Sequence, residues 1–373
     1  MKEWTKEFNP FNSWKLLAHL YRWKEIQRGN PLPPPALVTI DPTNVCNLKC
    51  IWCNSEYLRT KNKEEIDLET LKNLAKSLGS WNDGKFGLEG VCIAGGGEPT
   101  NHKGLGKFID ELTKNNIGVG IVTNGTNLDK HMPHLSQCSW IGVSMDAGTP
   151  EIYKKLKGAD MFDKVTENIK KVNKEASNGL LGAPGQGHGI SYKYLLHPGN
   201  VGDVYNAAKI AKEIGCRNMH IRPFGNPWDR NLKTPFGYGD IEEFKEQLSQ
   251  ARELEEDSFR IFGVTHKFDG NFNKSNDFKE CYAIFMTGDF LPPTDPDKGK
   301  FNFGVCCDRR GDNKLTLENL TDFNQVKDFW GSKEHWEMFD KIDPKNCPRC
   351  TYQPHNRIYE QAIMEENLTY DFI

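Results

Sequence analysis

The chain has 373 residues, enough for one large domain or for a large domain with a smaller one, so a single small module is excluded. Charged residues make up 27% of it, and a formal net charge of −3 gives no strong field that would attract nucleic acid or an anionic membrane. No segment approaches the roughly 18 apolar residues of a membrane span, and the first residues lack the apolar part of a secretory signal. We therefore expect a cytoplasmic protein whose 11 cysteines stay reduced, as metal ligands or buried thiols.

Short apolar segments alternate with longer amphipathic ones from residue 37 onwards. Before them, an amphipathic helix is predicted over Ser13–Arg28, with Trp14, Leu17 and Tyr21 on its packed face, followed by a proline-rich linker. Strands are predicted at Leu37–Asp41, Gly90–Ala94, Gly118–Thr123, Ile141–Met145, Ser191–Leu196 and Asn218–Arg222. Helices are predicted between them at Asp67–Leu78, Leu105–Asn115, Pro150–Leu156, Phe162–Lys174 and Val201–Ile214. Six strands with crossover helices indicate an α/β fold with a parallel sheet, open or curled into a partial barrel.

The pattern changes after about residue 225. One charged helix (Asp240–Asp257) and one strand (Phe259–Val264) precede a region rich in Gly, Pro, Asp and Asn, in which few regular elements are expected. Such a region needs an additional constraint to fold, and its cysteines can supply one. We predict an N-terminal helix and linker over 1–36, a main domain over 37–230, a connecting helix and strand over 231–265 and a small C-terminal domain over 266–373.

Cys46, Cys50 and Cys53 follow the first strand with the spacing Cys-x3-Cys-x2-Cys. Three thiolates in one loop can ligate three irons of a cubane and leave the fourth iron open. A zinc site is disfavoured because such sites use four ligands, and no histidine falls between His19 and His102. The segment resembles the defining motif of the radical S-adenosylmethionine (SAM) superfamily. That resemblance implies a partial (β/α)6 barrel and a catalytic [4Fe-4S] cluster on these three cysteines, whose open iron binds the methionine part of SAM.

A glycine-rich segment, Gly95-Gly96-Gly97-Glu98-Pro99, follows the second strand, and consecutive glycines allow close approach of the backbone to a ligand. It is similar to the superfamily motif for the methionine amino group. Segments after the third and fourth strands also resemble family segments near the ribose and methionine. Lys157 stands where the family commonly has an arginine, and it could pair with a carboxylate. The resemblance thus implies these cofactor-binding residues: Trp52, Gly95, Gly96, Gly97, Glu98, Pro99, Asn124, Ser144, Asp146 and Lys157.

Five further cysteines lie in the C-terminal region: Cys281, Cys306, Cys307, Cys347 and Cys350. Cys347 and Cys350 form a metal-type pair, and Cys281 with Cys306 or Cys307 can complete four thiolate ligands for zinc or for iron and sulfide. The region resembles the Twitch domain, a shortened SPASM domain of radical SAM enzymes that carries one auxiliary [4Fe-4S] cluster. The resemblance favours Cys306 as the ligand, with Cys307 as the alternative. The other three, Cys92, Cys138 and Cys216, are predicted to be buried and inert.

The resemblance implies a function: a 5′-deoxyadenosyl radical abstracts hydrogen from a substrate. The auxiliary cluster would remove a second electron, which makes the reaction a net oxidation of the dehydrogenase or maturase type. The expected partners are a small-molecule or peptide substrate and a reductant such as flavodoxin or ferredoxin. Candidate substrate contacts follow or line late strands, although simple packing is favoured for each: Tyr192, Tyr194, His197, Arg222 and Trp228.

Two other kinds of function stay open at this point. One is modification of a peptide or an RNA by a member of the same superfamily, although RNA is disfavoured because the sequence offers no basic groove. The other is an iron–sulfur or zinc protein that binds a partner or transfers electrons without catalysis. The glycine-rich segment after the second strand favours the enzyme, because a binding protein would not need it. A membrane partner is not expected.

Overall fold

The structure is a computed structural model that describes residues 13–27, 31–177, 189–225, 228, 236–263, 278–347 and 350–364. Its strands are β1 Leu37–Ile40, β2 Gly90–Ile93, β3 Gly118–Thr123, β4 Trp140–Ser144, β5 Ile190–Leu196, β6 Asn218–Pro223, β7 Arg260–Gly263, β8 Thr287–Leu291, β9 Phe301–Gly304 and β10 Thr316–Leu320. All ten lie in one sheet, in the order β10-β9-β8-β1-β2-β3-β4-β5-β6-β7. The six predicted strands correspond to β1–β6, and their parallel pairing is confirmed.

Twelve α-helices lie in the described part of the chain. They are α1 Leu20–Gln27, α2 Glu56–Lys61, α3 Leu68–Ser80, α4 Leu105–Lys114, α5 Met132–Leu135, α6 Pro150–Lys157, α7 Phe162–Ser177, α8 Val204–Glu213, α9 Tyr238–Arg252, α10 Asn324–Phe329, α11 Lys333–Asp340 and α12 Gln353–Ile358. In α3, the Asp67 side chain accepts a hydrogen bond from the Thr70 N–H at the first turn, and Leu71, Leu74 and Leu78 are buried. No helix in the described part of the chain has the length and apolarity to span a bilayer.

The C-terminal part of the chain extends the main sheet, which the sequence did not indicate. β7 pairs in parallel with β6, and β8 pairs in parallel with β1 in the register Leu37↔Thr287. β9 and β10 then add two antiparallel strands beyond β8. The prediction of few regular elements in this region was wrong because the pairing of β8 with β1 joins residues roughly 250 positions apart. Local periodicity carries no information about such a partner.

The first helix packs through a different face from the predicted one. It begins as a 3₁₀ helix over Ser13–His19 and continues as α1. Leu17 and Tyr21 are 56% and 68% exposed, whereas Leu16 and Trp23 are buried, so the predicted packed face was wrong. The tighter winding of the 3₁₀ turns changes which residues share a face, and a 3.6-residue period therefore selects the wrong ones.

The sheet has an outer face buried under helices and an inner face that is only partly buried. Residues of the two faces alternate along β5 and β6. On β5, Tyr192 and Tyr194 are fully buried and Lys193 between them is half-buried. On β6, Ile221 is fully buried and Arg222 directly after it is half-buried. The side chains of Cys92 on β2 and Lys193 on β5 act on each other's pKa although two strands separate them. The half-buried residues of the inner face include Cys92, Val122, Ser144, Lys193, Leu195, His220 and Arg222.

Candidate active site

The loop that carries Cys46, Cys50 and Cys53 follows β1 and ends before α2, and we call residues 46–53 the cysteine loop. Backbone hydrogen bonds fix it to α6: the Lys49 N–H donates to Lys157 O (3.0 Å) and the Ile51 N–H donates to Leu156 O (3.1 Å). Gly158, the C-cap residue of α6, has a φ of +69°, and its place directly against Lys49 leaves little space for a side chain. The end of α6 thus determines the path of the cysteine loop.

The three thiols of this loop share one partly buried environment. Burial raises the pKa of Cys46 to about 12, and Cys50 and Cys53 add to the increase. Burial also raises the pKa of Cys50, while the Lys157 ammonium opposes the rise. Within the described ranges no group of three or more His, Cys, Asp or Glu side chains is already drawn together to hold a metal ion. The donor set nevertheless fits a cubane with an open iron, since three thiols lie in one loop beside a buried cation.

The glycine-rich segment after β2 packs directly on the backbone that leads into the cysteine loop. The Gly97 N–H donates to Thr43 O (3.0 Å), and the Glu98 N–H donates to Val45 O (2.9 Å). A Cβ at Gly97 would overlap the Val45 carbonyl, so only glycine permits this approach. These contacts bring the glycine-rich segment against the backbone before Cys46, and its approach to a ligand stays a prediction.

Glu98 is fully buried and joins the ends of β2 and β3. Its carboxylate accepts hydrogen bonds from Thr100 N–H (3.0 Å), from the Thr123 hydroxyl and from Asn124 N–H (2.6 Å). Burial raises the pKa of Glu98, although these hydrogen bonds act against the increase. Pro99 begins the 3₁₀ helix Pro99–Asn101 directly after it. The Glu98 side chain therefore stabilises the loops that surround the cysteine loop, and its contact with a cofactor stays a prediction.

Asn124 contacts the cysteine loop from the end of β3. Its side-chain amide donates to Asn47 Oδ1 (2.9 Å), and its own oxygen accepts from Thr126 N–H (3.0 Å). The Asn47 amide in turn donates to the Thr126 hydroxyl (2.8 Å). This network holds the cysteine loop between Cys46 and Cys50.

Asp146 and Lys157 form a fully buried ion pair between the end of β4 and the end of α6. Asp146 has a φ of +58°, and its second oxygen accepts from Leu195 N–H (2.6 Å). Burial alone would lower the pKa of Lys157, but Asp146 and then Cys50 raise it above the ordinary lysine value. The carboxylate that Lys157 pairs with in this structure belongs to the chain itself, and the contact of Lys157 with a cofactor stays a prediction.

Trp52 belongs to an aromatic cluster beside the cysteine loop. It is 5% exposed, and its ring centroid lies 5.2 Å from that of His197, which lies 5.0 Å from Phe224. Leu156 at the end of α6 completes the cluster. Ser144, one of the cofactor-binding residues that the resemblance implies, ends β4 on the inner face, where it pairs in register with Lys193.

The candidate substrate contacts separate into different environments. Tyr192 and Tyr194 are completely buried on the outer face, where their hydroxyls donate to Ala147 O and Asn200 O, so the packing alternative is confirmed for both. Arg222 lies on the inner face. The Trp228 indole donates to the Tyr57 hydroxyl (3.0 Å) and to Arg310 O (3.3 Å).

The C-terminal cysteines converge around Cys281, which precedes the 3₁₀ helix Tyr282–Phe285. Burial raises the pKa of Cys281 to about 12, and Cys347 adds to the increase. Burial also raises the pKa of Cys306 and of Cys350, and each has Cys281 among the thiols that contribute. Cys281 therefore lies within electrostatic reach of Cys306, Cys347 and Cys350, and the adjacent Cys307 also acts on Cys306.

Cys307 differs from its neighbour Cys306 in its surroundings. It contributes to the raised pKa of Tyr352, which it contacts through a side-chain hydrogen bond, and to that of Arg310. Among the other cysteines, Cys138 and Cys216 are buried as predicted. Cys92 was expected to be buried as well, but it lies half-buried on the inner face because its strand position points away from the helices.

Arg310 joins the two cysteine-bearing regions, a role that no motif of the sequence indicated. Its Nε lies 2.8 Å from Asp41 Oδ2, directly after β1, and 3.4 Å from Asp289 Oδ2 on β8. Both carboxylates are fully buried. Asp289 is the one charged residue of β8, all five residues of which are buried, and a buried charge needs a partner.

Comparison with known proteins confirms the radical SAM assignment made from the motifs. Residues 40–189 match the family model of the Radical SAM superfamily. A probable GTP 3′,8-cyclase of Saccharolobus islandicus is 27% identical over 244 residues, covering 62% of this chain and 70% of that relative. A probable GTP 3′,8-cyclase of Methanocaldococcus jannaschii is 30% identical over 135 residues, covering 35% of this chain and 43% of that relative.

Solved structures share the fold at lower sequence identity. Streptococcus suis SuiB bound to the precursor peptide SuiA has a TM-score of 0.61 at 14% identity, covering 92% of this chain and 75% of that chain. The structure of anSMEcpe with bound AdoMet has a TM-score of 0.56 at 20% identity, covering 82% of this chain and 83% of that chain. The predicted α/β fold with a parallel sheet core is confirmed.

Proposed function

We propose that this chain, which carries a radical SAM domain over residues 40–189, holds a catalytic [4Fe-4S] cluster on Cys46, Cys50 and Cys53. When bound, the cluster supplies the electron that cleaves SAM into methionine and a 5′-deoxyadenosyl radical, which takes a hydrogen atom from the substrate. The observation that carries the proposal is the cysteine loop itself: three thiols of one environment, held in place by the end of α6 and supported by the glycine-rich segment. Each thiol must lose its proton when it binds iron.

The residues around the cysteine loop are proposed to bind and orient SAM. Trp52, whose ring is tilted against that of His197 at a centroid distance of 5.2 Å, is the aromatic residue proposed to contact the adenine. The backbone of Gly95–Gly97 lies beside the loop without side chains, and Ser144 faces the same space from β4. Asn124 and Glu98 hold the neighbouring backbone in place through their hydrogen bonds. The buried pair of Asp146 and Lys157 orients the loop near Cys50.

A second [4Fe-4S] cluster is proposed on Cys281, Cys306, Cys347 and Cys350. The effect of Cys281 on the pKa values of Cys306 and Cys350, and that of Cys347 on the pKa values of Cys281 and Cys350, support this set, and Cys307, which has a hydrogen bond with Tyr352, is the alternative to Cys306. Four cysteine ligands leave no open iron for a substrate, so such a cluster suits electron transfer. We therefore propose a net oxidation of a small molecule or peptide, with electrons for SAM cleavage supplied by a reductant such as flavodoxin or ferredoxin.

A second candidate function is cyclisation of a nucleotide. It is favoured by the 27% identity over 244 residues to a relative named as a probable GTP 3′,8-cyclase. Cyclisation would rearrange the substrate, whereas an oxidation would remove two electrons from it. Incubation with GTP or with candidate peptides, followed by mass spectrometry of the products, separates these two functions.

The first experiment is anaerobic reconstitution of the wild type and of a Cys46/Cys50/Cys53 triple Ala variant, with iron and sulfide counted in each. About eight irons in the wild type and about four in the variant are expected. With dithionite and SAM, only the wild type should release 5′-deoxyadenosine. Four irons together with zinc would remove the auxiliary cluster from the proposal. Absence of iron and of SAM cleavage under reducing conditions would leave a cysteine-rich binding protein.

A further inference from the structure

The loop between β9 and β10 contains two adjacent cysteines, and we call residues 306–312 the bridging loop. It is wound into successive turns: the Arg309 N–H donates to Cys306 O (3.2 Å), and the Asp312 N–H donates to Arg309 O (3.1 Å). The Arg309 side chain also forms an ion pair with Asp312. These short-range contacts connect the position of Cys306 to that of Arg310, which lies inside the second turn.

The bridging loop is bonded to the second cysteine-bearing segment of the C-terminal region. The Asp308 carboxylate accepts hydrogen bonds from the Thr351 N–H (2.6 Å) and from the Thr351 hydroxyl (3.0 Å). Thr351 directly follows Cys350, and Asp308 is two residues after Cys306. Two segments that carry proposed ligands of the auxiliary cluster are therefore joined beside those ligands.

Arg310 contacts both ends of the cysteine loop. Its guanidinium Nε lies 2.8 Å from Oδ2 of Asp41, which is five residues before Cys46. Its backbone carbonyl accepts a hydrogen bond from the hydroxyl of Tyr57, which is four residues after Cys53. One residue of the bridging loop is thus attached to the chain on either side of the three thiols.

Close packing supports both attachments. Next to Arg310, Gly311 has a φ of +65°, and a Cβ there would lie 2.9 Å from Leu58 Cδ2. Asp41 is fully buried, and burial raises its pKa, while the Arg310 guanidinium and the Gly96 N–H act against the increase. Asp41 therefore lies between the bridging loop and the glycine-rich segment.

We propose that Arg310 is a positioning residue that couples the two cysteine sites, so that an auxiliary cluster raises the affinity of the cysteine loop for SAM. The proposal deepens the function proposed above and rests on it. Metal ligation contributes directly to local folding, so a cluster on Cys306 and Cys350 fixes the bridging loop at two points. Arg310 then holds Asp41 and Tyr57, and with them the cysteine loop, in the geometry that binds SAM. Such coupling is reciprocal: bound SAM stabilises the auxiliary cluster by the same free energy.

The test measures the dissociation constant of SAM by equilibrium dialysis of labelled SAM against the reconstituted full-length protein, without reductant, with iron counted in each sample. C347A/C350A keeps the cysteine loop, so it should contain about four irons instead of about eight, and it should bind SAM about tenfold more weakly. R310Q keeps all the cysteines and should weaken SAM binding to a similar extent. C347A/C350A/R310Q should bind SAM no more weakly than C347A/C350A, because the coupling is already lost.

Asp41 and Asp289 offer a matched pair of variants, because both carboxylates lie near the same Arg310 nitrogen and only Asp41 leads into the cysteine loop. D41N should weaken SAM binding, whereas D289N leaves Arg310 with Asp41 and should bind SAM as the wild type does. R310K restores a cation without the planar fork and should weaken binding less than R310Q. K298Q controls for loss of a charge elsewhere in the C-terminal region, since exposed Lys298 pairs with Asp295 at 2.8 Å.

Equal SAM affinity of the wild type, C347A/C350A and R310Q would overturn the proposal. Effects of the cysteine changes and of R310Q that multiply in the combined variant would overturn it as well, since they would then be independent. If C347A/C350A or R310Q does not keep about four irons on the cysteine loop, D41N and D289N decide, and equal affinities of these two contradict the coupling. A wild type that binds and cleaves SAM while every variant matches it refutes the coupling alone, whereas a wild type that binds no SAM refutes the proposed function.

Discussion

The Nε of Arg310 lies 2.8 Å from Oδ2 of Asp41, and this pair connects the loop after Cys306 and Cys307 with the segment that leads into Cys46. Asp289 lies 3.4 Å from the same nitrogen. Burial raises the pKa of Asp289 well above the usual value for a carboxyl, and the nearby charge of Asp41 adds to the increase. The guanidinium thus stabilises a site that would otherwise hold two repelling carboxylates.

Replacing Arg310 should destabilise the protein strongly. In R310M the buried carboxylate of Asp41 loses its cation, and breaking a buried pair in this way costs about 3–5 kcal/mol. Denaturant unfolding of the metal-free protein measures the loss. The double variant D41N/R310M removes one of the two buried carboxyl groups that R310M leaves without their cation, and it should recover part of the stability. Equal stability of R310M and the wild type would show that the pair contributes nothing.

Asp146 and Lys157 should be strongly coupled. K157M leaves the Asp146 charge buried and should lower the free energy of unfolding by about 3–5 kcal/mol, whereas K157M/D146N should lower it less than the sum of the single changes. D146N is the suitable partner change because asparagine tolerates the left-handed φ of this position. Additive effects of the two single changes would contradict the coupling.

Cys306 and Cys307 should differ in iron binding. C306A removes a proposed ligand, so reconstituted protein should fall from about eight irons to about four, while C307A should keep about eight. Iron and sulfide analysis with electron paramagnetic resonance of the reduced samples measures both. The two changes are equal in size and adjacent in the chain, so each controls for the other. The reverse result would assign Cys307 as the ligand.

His335 should make stability depend on pH in the acidic range. Its ring is fully buried beside Phe329 and Trp330, at centroid distances of 4.7 and 4.9 Å, and burial lowers its pKa to about 4. Its Nδ1 accepts a hydrogen bond from the Gly331 N–H (3.1 Å). Above pH 6.5 both the folded and unfolded states are neutral at this residue. As the pH falls toward 4 the unfolded state gains a proton first, so the free energy of unfolding should fall by roughly 3 kcal/mol.

The matched variant for this prediction is H335N, which offers an acceptor in place of Nδ1 and has no titration in this range. The other histidines are the same in both proteins, so the difference between the two pH profiles isolates His335. Urea unfolding of the metal-free proteins at several pH values from 7 to 4 gives both profiles. Parallel profiles for the wild type and H335N would show that His335 is not responsible for any loss of stability.

The sequence predicted what depends on short-range pattern. The alternation of apolar segments and amphipathic helices located β1–β6 and α3, and the spacing of Cys46, Cys50 and Cys53 located the cysteine loop. It did not predict β8 beside β1 or Arg310 beside Asp41, because these contacts join distant parts of the chain and depend on three-dimensional packing. The position of Lys193 on the partly buried inner face was not predicted for another reason. A lysine between two buried tyrosines is as typical of a strand at the protein surface as of one that lines an inner face.

The parallel pairing of β8 with β1 has a consequence for synthesis on the ribosome. One edge of β1 has no partner until Thr287–Leu291 has left the exit tunnel, roughly 250 residues after β1 itself. During that time a hydrophobic strand edge is available for wrong pairing with other chains. Completion of the sheet therefore has to wait for the last third of the polypeptide, and nascent chains that stop before it should depend on chaperones to remain in solution.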